Sequence, residues 1–300
     1  MSDSLLLDDR YAGCLLGLAC GDAVGTTVEF SPRGTFAPLT DMVGGGPFGL
    51  PPGYWTDDTS MALCLAESLI SQAGFDAADQ MGRYLNWWTR GYQSSTGVCF
   101  DIGTTVQSAL NRYREDGQPY AGSTHPASAG NGSLMRLAPV VLFFHPGLAD
   151  QLRYAEESSR TTHAAPEAVA CCRLLATWLS RAVEGRSKDE VLAAVDGPWP
   201  TTAVALIASG AWTSKSVSDI TGSGYAVESL EAAAWCFAQT DSFAAAVLAA
   251  ANLGNDADTT AAITGQLAGA FYGRGGIPAA WLKTLHRADD IERTALALRR

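Results

Sequence analysis

Apolar residues recur about one helical turn apart through most of this 300-residue chain. Between residues 59 and 70, for example, Met61, Leu65 and Leu69 are spaced by four residues, the period that keeps side chains on one face of a helix. Stretches rich in Val, Ile and Thr with the two-residue period of a strand are scarce. Because each amphipathic helix must bury its apolar face against another element, we predict an all-α fold of packed helices.

The same periodicity predicts further helices over residues 104–113, 167–183, 229–237, 243–251 and 260–272. Hydrophobic residues make up 47% of the chain and charged residues 17%, a composition that forms a core and excludes a disordered protein. No internal repeat, low-complexity tail or shift in composition divides the sequence. We therefore expect a single compact multi-helix domain over residues 1–300.

The formal net charge is −11, so general binding to the phosphate backbone of nucleic acids is not expected. The seven cysteines are scattered without CxxC spacing, which argues against a zinc site or a disulfide framework and favours a reducing, cytoplasmic compartment. Cys64 and Cys236 fall within apolar helical patterns and are predicted to be core residues. The N-terminus does not resemble a signal peptide, no uninterrupted apolar run reaches membrane-spanning length, and we expect a monomer.

Gly-rich segments interrupt the helical pattern at residues 31–54, 117–132 and 222–224. The first is crowded with Gly and Pro, and a loop of that length inside a domain is uncommon and usually functional. The chemically distinctive residues of the chain lie within these segments or directly after them.

The first acidic cluster, Thr56-Asp57-Asp58, stands where the 31–54 loop ends and a helical pattern begins. Adjacent helical side chains point about 100° apart, so neighbouring carboxylates converge on one ion only at such a helix start. Helix capping is the simpler interpretation of this cluster alone, since Thr and Asp are favoured at helix N-termini.

A second cluster, Asp256-Ala257-Asp258-Thr259, also directly precedes a helical pattern. Two clusters of hard oxygen ligands suit magnesium, manganese or calcium better than zinc. We predict that the clusters meet in space and hold a pair of divalent metal ions at one hydrolytic site, a role compatible with capping.

Three other carboxylates are candidates with open alternatives. Asp22 and Glu29 lie in a stretch of small residues that allows close backbone approach. Glu29 ends an apolar run, where it is either directed into a site or a solvated charge at a helix end. Asp101 is either a site residue or an ordinary cap before the 104–113 helix.

A second group of candidates is uncharged. Gly130-Asn131-Gly132 can present backbone N–H groups to an anion, although a plain Asn-Gly turn is the commoner explanation. His163 and Tyr225 lie beside loops and are candidates for stacking on a base or a ribose, whereas a lone His or Tyr is more often structural.

Together these motifs resemble the ADP-ribosylglycohydrolase family, the group that includes the dinitrogenase reductase-activating glycohydrolase. The matching segments span nearly the whole chain and occur in the right order. They are Gly21-Asp22-Ala23 with Glu29, Trp55-Thr56-Asp57-Asp58-Thr59, Phe100-Asp101-Ile102-Gly103, Gly130-Asn131-Gly132 with Met135-Arg136, Thr162-His163, Gly224-Tyr225 and Gly254-Asn255-Asp256-Ala257-Asp258-Thr259.

The resemblance implies an all-α fold and a binuclear magnesium or manganese centre. It implies that the ligands of that centre are Thr56, Asp57, Asp58, Asp256, Asp258 and Thr259. It also implies that Gly130-Asn131-Gly132 holds a diphosphate, that His163 and Tyr225 line an ADP-ribose cleft, and that Glu29 joins or gates the metal shell.

The resemblance further links Asp101 with proton transfer at the ribose. Cleavage of an N-glycosidic bond builds oxocarbenium character at the ribose C1″ atom, and two metal ions a few ångströms apart orient ribose and water. We expect Asp101 to move the proton, with Asp58 and Asp258 as alternative bases at the metal site. Asn255 departs from the Gly or Asp that many members carry there, which should leave metal binding intact.

The implied function is hydrolysis of ADP-ribosyl-arginine on a protein substrate, with release of ADP-ribose. One alternative is another ADP-ribose linkage, on serine, a nucleobase or a metabolite, since the choice of linkage depends on loops such as residues 31–54. A second is a catalytically silent ADP-ribose binder. The intact ligand set argues against the binder, because clustered carboxylates repel one another until a cation lies among them.

Overall fold

A computed structural model gives the structure of residues 3–299, and this part of the chain contains helices but no β-strand. The α-helices in chain order are α1 (Asp3–Gly25), α2 (Asp57–Gln72), α3 (Ala77–Arg90), α4 (Thr104–Asp116), α5 (Ala138–Phe144), α6 (Leu148–Arg160), α7 (Pro166–Val183), α8 (Lys188–Val191), α9 (Thr202–Ala208), α10 (Ala226–Ala238), α11 (Phe243–Ala251), α12 (Ala257–Tyr272), α13 (Ala279–Thr284) and α14 (Ala288–Ala297). Short 3-10 helices cover Thr26–Val28, Pro126–Ser128, Ala211–Ser214, Val217–Asp219 and Arg274–Gly276. The all-α prediction is confirmed.

Apolar periodicity located the helix interiors better than the helix ends. The 243–251 prediction coincides with α11, whereas α12 begins at Ala257 rather than at residue 260 and so includes part of the second acidic cluster. Helix α2 likewise begins at Asp57 and not at residue 59. In both helices the first turn is polar, so its residues carry no apolar signal although they are helical.

Helix α1, which the sequence analysis did not predict, packs along α12 at the centre of the fold. Helices α3, α5, α6, α8, α9, α13 and α14 were not predicted either. Gly13, Gly17, Gly21 and Gly25 recur every four residues on the α12-facing side of α1. A Cβ atom on Gly21 would lie 2.1 Å from the Ala261 carbonyl oxygen, and one on Gly17 would lie 2.2 Å from that of Gly265. The two helices therefore touch backbone to backbone, an approach that only glycine permits.

The remaining helices surround this pair. Helices α7, α10 and α11 pack against α12, while α2 packs against α3, α5 and α14. The hydrophobic core runs from Tyr11 on α1 to Leu298 after α14, which supports the proposal of one domain.

The 31–54 loop forms no helix or strand, as predicted, but it is anchored at both ends. The Arg33 side chain donates to the backbone carbonyls of Val217 at 2.6 Å and Leu253 at 3.3 Å. Near the other end, the Gly53 carbonyl accepts a hydrogen bond from the His286 N–H at 3.0 Å. The loop is thereby fixed beside the N-terminal end of α12.

The seven cysteines are free, and Cys64 and Cys236 are buried in the core as predicted. The described residues contain one helical stretch, Leu6–Val28, that is long and apolar enough to cross a membrane, which the sequence analysis did not expect. In the fold, 94% of its most apolar window is buried, and the core helix of a soluble protein passes the same test.

Candidate active site

The two acidic clusters meet at one place, as the sequence predicted. One carboxylate oxygen from each of Asp22, Asp58 and Asp258 lies within 4.8 Å of the others. The Thr56 hydroxyl oxygen lies 3.1 Å from Asp58 Oδ2 and 3.3 Å from Asp258 Oδ2, although these residues belong to opposite ends of the chain. Helices α2 and α12 therefore begin at a common point.

A second group of carboxylates adjoins the first. Oxygens of Glu29, Asp101 and Asp258 also lie within 4.8 Å of one another, so Asp258 belongs to both groups. The Glu29 side chain is only 4% exposed, which excludes the alternative of a solvated charge at a helix end. Asp101 adopts a φ of 58°, and the N-cap of α4 is Gly103, so Asp101 is not the cap of that helix.

Capping does not account for the acidic clusters either. Thr56 and Asp256 occupy the N-cap positions of α2 and α12, as the sequence suggested, yet neither side chain makes a capping hydrogen bond. The Thr56 hydroxyl instead contacts Asp22, Asp58 and Asp258, while Asp256 Oδ2 accepts a hydrogen bond from the Asn131 amide at 2.5 Å. The polar atoms that usually cap a helix are directed into the site.

Asp22 is a site residue for which the sequence analysis gave no role. It lies on α1, where both carboxylate oxygens accept hydrogen bonds from the start of α2. The Thr56 N–H and hydroxyl donate at 2.9 Å, and the Thr59 N–H and hydroxyl donate at 3.0 and 2.6 Å. Asp22 therefore fixes the turn that carries Asp57 and Asp58. Its sequence signal is a single acidic residue within an apolar helix, because a buried charge needs such partners.

Burial and mutual repulsion give these carboxyls a high proton affinity. Burial, reinforced by the charges of Asp258 and Asp101, raises the pKa of Glu29 to about 12. Burial, with Asp22 and Asp256 nearby, raises the pKa of Asp101 to about 7. The pKa values of Asp57, Asp58 and Asp258 are also well above their ordinary range, because all three are buried beside other carboxylates.

The donor set fits a divalent cation. Asp58 Oδ1, Asp258 Oδ1 and Glu29 Oε2 are buried and have no hydrogen-bond partner. The ion pairs formed by residues 3–299 do not involve any of these three carboxylates. Unpartnered buried carboxylate oxygens carry a large desolvation penalty that a bound cation removes, and all-oxygen sites of this kind suit Mg²⁺, Mn²⁺ or Ca²⁺.

Five acidic residues, Glu29, Asp57, Asp101, Asp256 and Asp258, line a cavity of about 370 Å³. We call these five, together with the adjoining Asp58, the acidic floor. Gly130, Asn131, Gly132 and His163 line the same cavity, and we call them the uncharged wall. In the described part of the chain, no lysine or arginine side chain lines this cavity.

Asn131 connects the wall to the floor. Its side-chain amide donates to Asp256 Oδ2, and also to the Ser229 hydroxyl at 3.2 Å and the Ser223 carbonyl at 3.3 Å. Its backbone N–H donates to the Gly224 carbonyl at 3.0 Å. Because that N–H is already engaged, the expected anion contact of this loop depends on Gly130 and Gly132.

His163 and Tyr225 occupy different places. His163 is 2% exposed and lines the cavity, where burial and the charge of Arg136 lower its pKa to about 3. Tyr225 lies outside this cavity, in an adjoining one that shares Gly130 and Gly224 with it. The Tyr225 hydroxyl donates to Glu167 at 2.5 Å, so a ligand that reaches Tyr225 must extend past the Gly130 loop.

Comparison with known proteins identifies the family. The family model for ADP-ribosylglycohydrolase matches residues 2–300 of this chain. The chain belongs to the ADP-ribosylglycohydrolase family. It is accordingly a glycoside hydrolase of the class that acts on ADP-ribose linkages, and the resemblance seen in the sequence motifs is confirmed.

Its relatives in the ADP-ribosylglycohydrolase family include bacterial enzymes. ADP-ribosylarginine hydrolase Tri1 of Serratia proteamaculans is 45% identical over 287 residues, which cover 96% of this chain and 78% of that protein. The ADP-ribosyl-[dinitrogen reductase] glycohydrolase of Rhodospirillum rubrum is 34% identical, covering 92% of this chain and 90% of that protein. A solved structure described as an ADP-ribosylglycohydrolase-related protein complex superposes with a TM-score of 0.84 at 46% identity, with 97% of each chain covered.

Phe30 is a residue of this ADP-ribosylglycohydrolase cavity that was not singled out from the sequence. Phe30 lines it beside Glu29, is 64% exposed and has a φ of 60°, which is strained for a bulky residue. Its N–H donates at 2.6 Å to the carbonyl of Asn255, which itself has a φ of 58°. Asn255 is compatible with this left-handed backbone, since Asn adopts it more readily than most residues other than Gly.

Proposed function

We propose that this chain removes ADP-ribose from arginine side chains of proteins, in a reaction that depends on two divalent metal ions, Mg²⁺ or Mn²⁺. The observation that carries the proposal is the convergence of two carboxylate groups on Asp258, with buried oxygens that have no protein partner. The arginine linkage is proposed because the Tri1 relatives, 45% and 46% identical to this chain, are ADP-ribosylarginine hydrolases.

The proposed metal ligands are the carboxylates of Asp57, Asp58, Asp256 and Asp258, with the hydroxyls of Thr56 and Thr259. Ions bound there would supply Lewis-acid binding of the ribose hydroxyls and of a water molecule. Asp22 holds the Thr56 turn in place, and its two oxygens are already occupied by four hydrogen bonds. We therefore assign Asp22 an orienting role outside the ligand set.

The remaining carboxylates suit proton transfer at the scissile bond. Carboxylate oxygens of Asp101 and Glu29 lie within 4.8 Å of each other and of Asp258, and the pKa of about 7 lets Asp101 gain or lose a proton near neutral pH. Asp101 is proposed to hold the proton that moves at ribose C1″. An Asp101→Asn variant with unchanged activity and metal content would exclude this role.

The uncharged wall is proposed to bind the rest of ADP-ribose. Gly130 and Gly132 leave room for a diphosphate against His163, and the cavity continues past Gly224 toward Tyr225. Among residues 3–299 no lysine or arginine lines the cavity, which suits a site in which metal ions and N–H groups balance the negative charge of the diphosphate.

A linkage panel tests the function. Peptides carrying ADP-ribose on arginine or serine, and a nucleobase-linked ADP-ribose, are assayed with Mg²⁺, with Mn²⁺ and after chelation. We expect ADP-ribose release from the arginine peptide in the presence of metal and none after chelation. Release only from serine or the nucleobase would replace the proposed linkage, and tight ADP-ribose binding without release from any substrate would indicate a binder.

The proposal also includes a cytoplasmic location and a monomeric state. All seven cysteines are free, and burial raises the pKa values of the Cys14 and Cys20 thiols, which keeps them protonated and unreactive. This arrangement suits a reducing compartment. Sedimentation of the purified chain tests the monomer directly.

A further inference from the structure

A buried arginine lies behind the uncharged wall. Arg136 is 0% exposed, and no carboxylate of residues 3–299 forms an ion pair with it. Its Nη1 donates to the Gly132 carbonyl at 3.0 Å, and its guanidinium lies 4.6 Å from the centre of the Tyr84 ring. A buried cation without a counter-charge is unfavourable, so its remaining hydrogen bonds are informative.

The second guanidinium nitrogen of Arg136 is connected to His163 by hydrogen bonds through the Thr162 hydroxyl. Arg136 Nη2 lies 2.6 Å from Thr162 Oγ1, which in turn lies 2.8 Å from His163 Nδ1. A guanidinium only donates, so Thr162 accepts from Arg136 and its own hydroxyl proton is directed to Nδ1. If Nδ1 carried the proton instead, the fully buried Thr162 hydroxyl would have no acceptor.

This arrangement fixes the histidine tautomer. Nδ1 must accept, so in the neutral ring the single proton lies on Nε2. A second proton is disfavoured because the Arg136 charge is close and the ring is buried. His163 is therefore a neutral ring with its donor on the nitrogen opposite Thr162.

Nε2 lies on the cavity side of the ring. A Cβ atom on Gly130 would lie 3.3 Å from Nε2, and one on Gly132 would lie 3.2 Å from it. The two glycines thus leave Nε2 uncovered where any other residue would crowd it. No group of residues 3–299 accepts a hydrogen bond from this nitrogen, and His163 lines the cavity.

We propose that Arg136 and Thr162 are positioning residues that hold His163 as a neutral Nε2–H donor, directed at an anionic phosphate oxygen of the bound ADP-ribose. The identity of the ligand rests on the proposed function, whereas the tautomer depends only on the protein. Thr162 transmits the effect of Arg136, because its hydroxyl is the single bridge between the guanidinium and the imidazole.

The tautomer is tested in the free protein by the ring ¹⁵N shifts and proton couplings of His163. We expect the Nε2–H pattern from pH 6 to pH 8 in the wild-type chain. A Thr162→Val variant should lose this single pattern, whereas Thr162→Ser, which keeps the hydroxyl, should restore it. An Nδ1–H tautomer in the wild type, or an unchanged pattern in Thr162→Val, would overturn the proposal. None of these readings requires that the enzyme cleave an arginine linkage.

The donor's role is tested by titrating ADP-ribose into the same Mn²⁺-loaded proteins. We expect Thr162→Val to weaken ADP-ribose binding about tenfold, as for loss of one hydrogen bond to a charged group, and Thr162→Ser to bind within about twofold of wild type. Thr177→Val is the matched control, because its hydroxyl donates only within α7 to the Arg173 carbonyl. Equal affinities for Thr162→Val and wild type, or equal losses for Thr162→Val and Thr177→Val, would overturn the assignment.

Discussion

The acidic floor and the uncharged wall adjoin one cavity, yet they are built in opposite ways. The floor collects carboxylates whose pKa values are raised, and several of their oxygens have no protein partner. On the wall, burial and the charge of Arg136 lower the pKa of His163 to about 3, and the Arg136 guanidinium is itself buried. The floor is suited to a cation, and the wall is proposed to offer a hydrogen-bond donor to an anion.

The contacts that hold the floor and the wall in place differ as well. Glycine contacts between α1 and α12 bring Asp22 close to Asp258, so the floor depends on tightly packed helices. The wall consists of loop residues that Asn131 ties to Asp256. Metal binding should therefore respond to helix packing, and ligand affinity should respond to single hydrogen bonds in the loop.

Removal of the shared carboxylate should have the largest effect. Asp258 belongs to both carboxylate groups, so Asp258→Asn should lower kcat/KM on an ADP-ribosyl-arginine peptide by about a thousandfold or more, beyond the 10–100-fold typical of outer-shell changes. Mn²⁺ affinity, measured by calorimetry, should fall as well. The control is Asp196→Asn, which changes the same charge at an exposed position. Wild-type Mn²⁺ affinity in Asp258→Asn would show that the floor does not share this ligand.

A substitution that disturbs the packing of α1 against α12 should have the next largest effect, on the stability of the fold. Gly21→Ala places a Cβ atom 2.1 Å from the Ala261 carbonyl oxygen, so the free energy of unfolding should fall by about 2–3 kcal/mol. Gly82→Ala in α3 meets no atom within 4 Å and should instead stabilise the protein by up to about 1 kcal/mol. Urea denaturation measures both. Equal stability of the two variants would mean that α1 and α12 do not need their close approach.

The carboxyls of the acidic floor should stabilise the metal-free protein more at low pH, whereas a bound metal ion should stabilise the protein more at high pH. The pKa values of about 6 for Asp22, 7 for Asp101 and 12 for Glu29 exceed their unfolded values near 4, so the folded metal-free protein holds extra protons. Their contribution to stability is complete below pH 4 and decreases as the pH rises through these values. Thermal melting should therefore show the metal-free protein losing stability from pH 5 to pH 8.

Metal should reverse that loss, because a cation replaces the protons among the carboxylates. At pH 8, Mn²⁺ at a hundred times its dissociation constant should stabilise the fold by about 2.7 kcal/mol. The same Mn²⁺ concentration should stabilise the fold clearly less at pH 5. Ca²⁺ and Na⁺ at matched ionic strength serve as controls for selectivity and screening. A Mn²⁺ effect that is larger at pH 5 than at pH 8 would contradict metal binding by these carboxylates.

The smallest effect concerns the wall. The pKa of His163 is about 3 in the fold and near 6.5 when unfolded, so the neutral ring supports stability above pH 6.5 and loses that support as the pH falls. At pH 5 the difference corresponds to about 2 kcal/mol or less. In the metal-free proteins, the unfolding free energy of wild type should therefore fall relative to that of a His163→Gln variant as the pH is lowered from 6.5 to 5. An equal pH dependence in the two proteins would mean that His163 protonates freely in the fold.

Local patterns predicted helices α2, α4, α7, α10, α11 and α12, but they could not predict the contact that assembles the site. Apolar spacing located α11 and most of α2 and α12, because those helices bury one face. Helix α1 was missed since its contact side is made of glycines, which carry no apolar signal. The four-residue glycine spacing was nevertheless visible in the sequence and explains how Asp22 reaches α2.

The site shows the same division between local and long-range information. The clusters around Asp57 and Asp258 were recognised from their residue types and their family order, and their meeting in space was predicted from the two clusters taken together. For Asp101 and Glu29 the sequence left two interpretations open, a site residue or an ordinary residue at a helix end. Burial distinguishes between them, and burial depends on residues far away in the chain. The Arg136–Thr162–His163 chain is a hydrogen-bond arrangement that no sequence spacing specifies.

A crystal structure of the Mn²⁺-soaked protein, with anomalous scattering recorded for manganese, tests the shared metal centre most directly. We expect two anomalous peaks about 4 Å apart, within bonding distance of the Asp57, Asp58, Asp256 and Asp258 carboxylates. The same soak of Asp258→Asn should lose at least one peak. Manganese bound only elsewhere on the protein, or no peak at the floor at saturating Mn²⁺, would contradict the two-metal site.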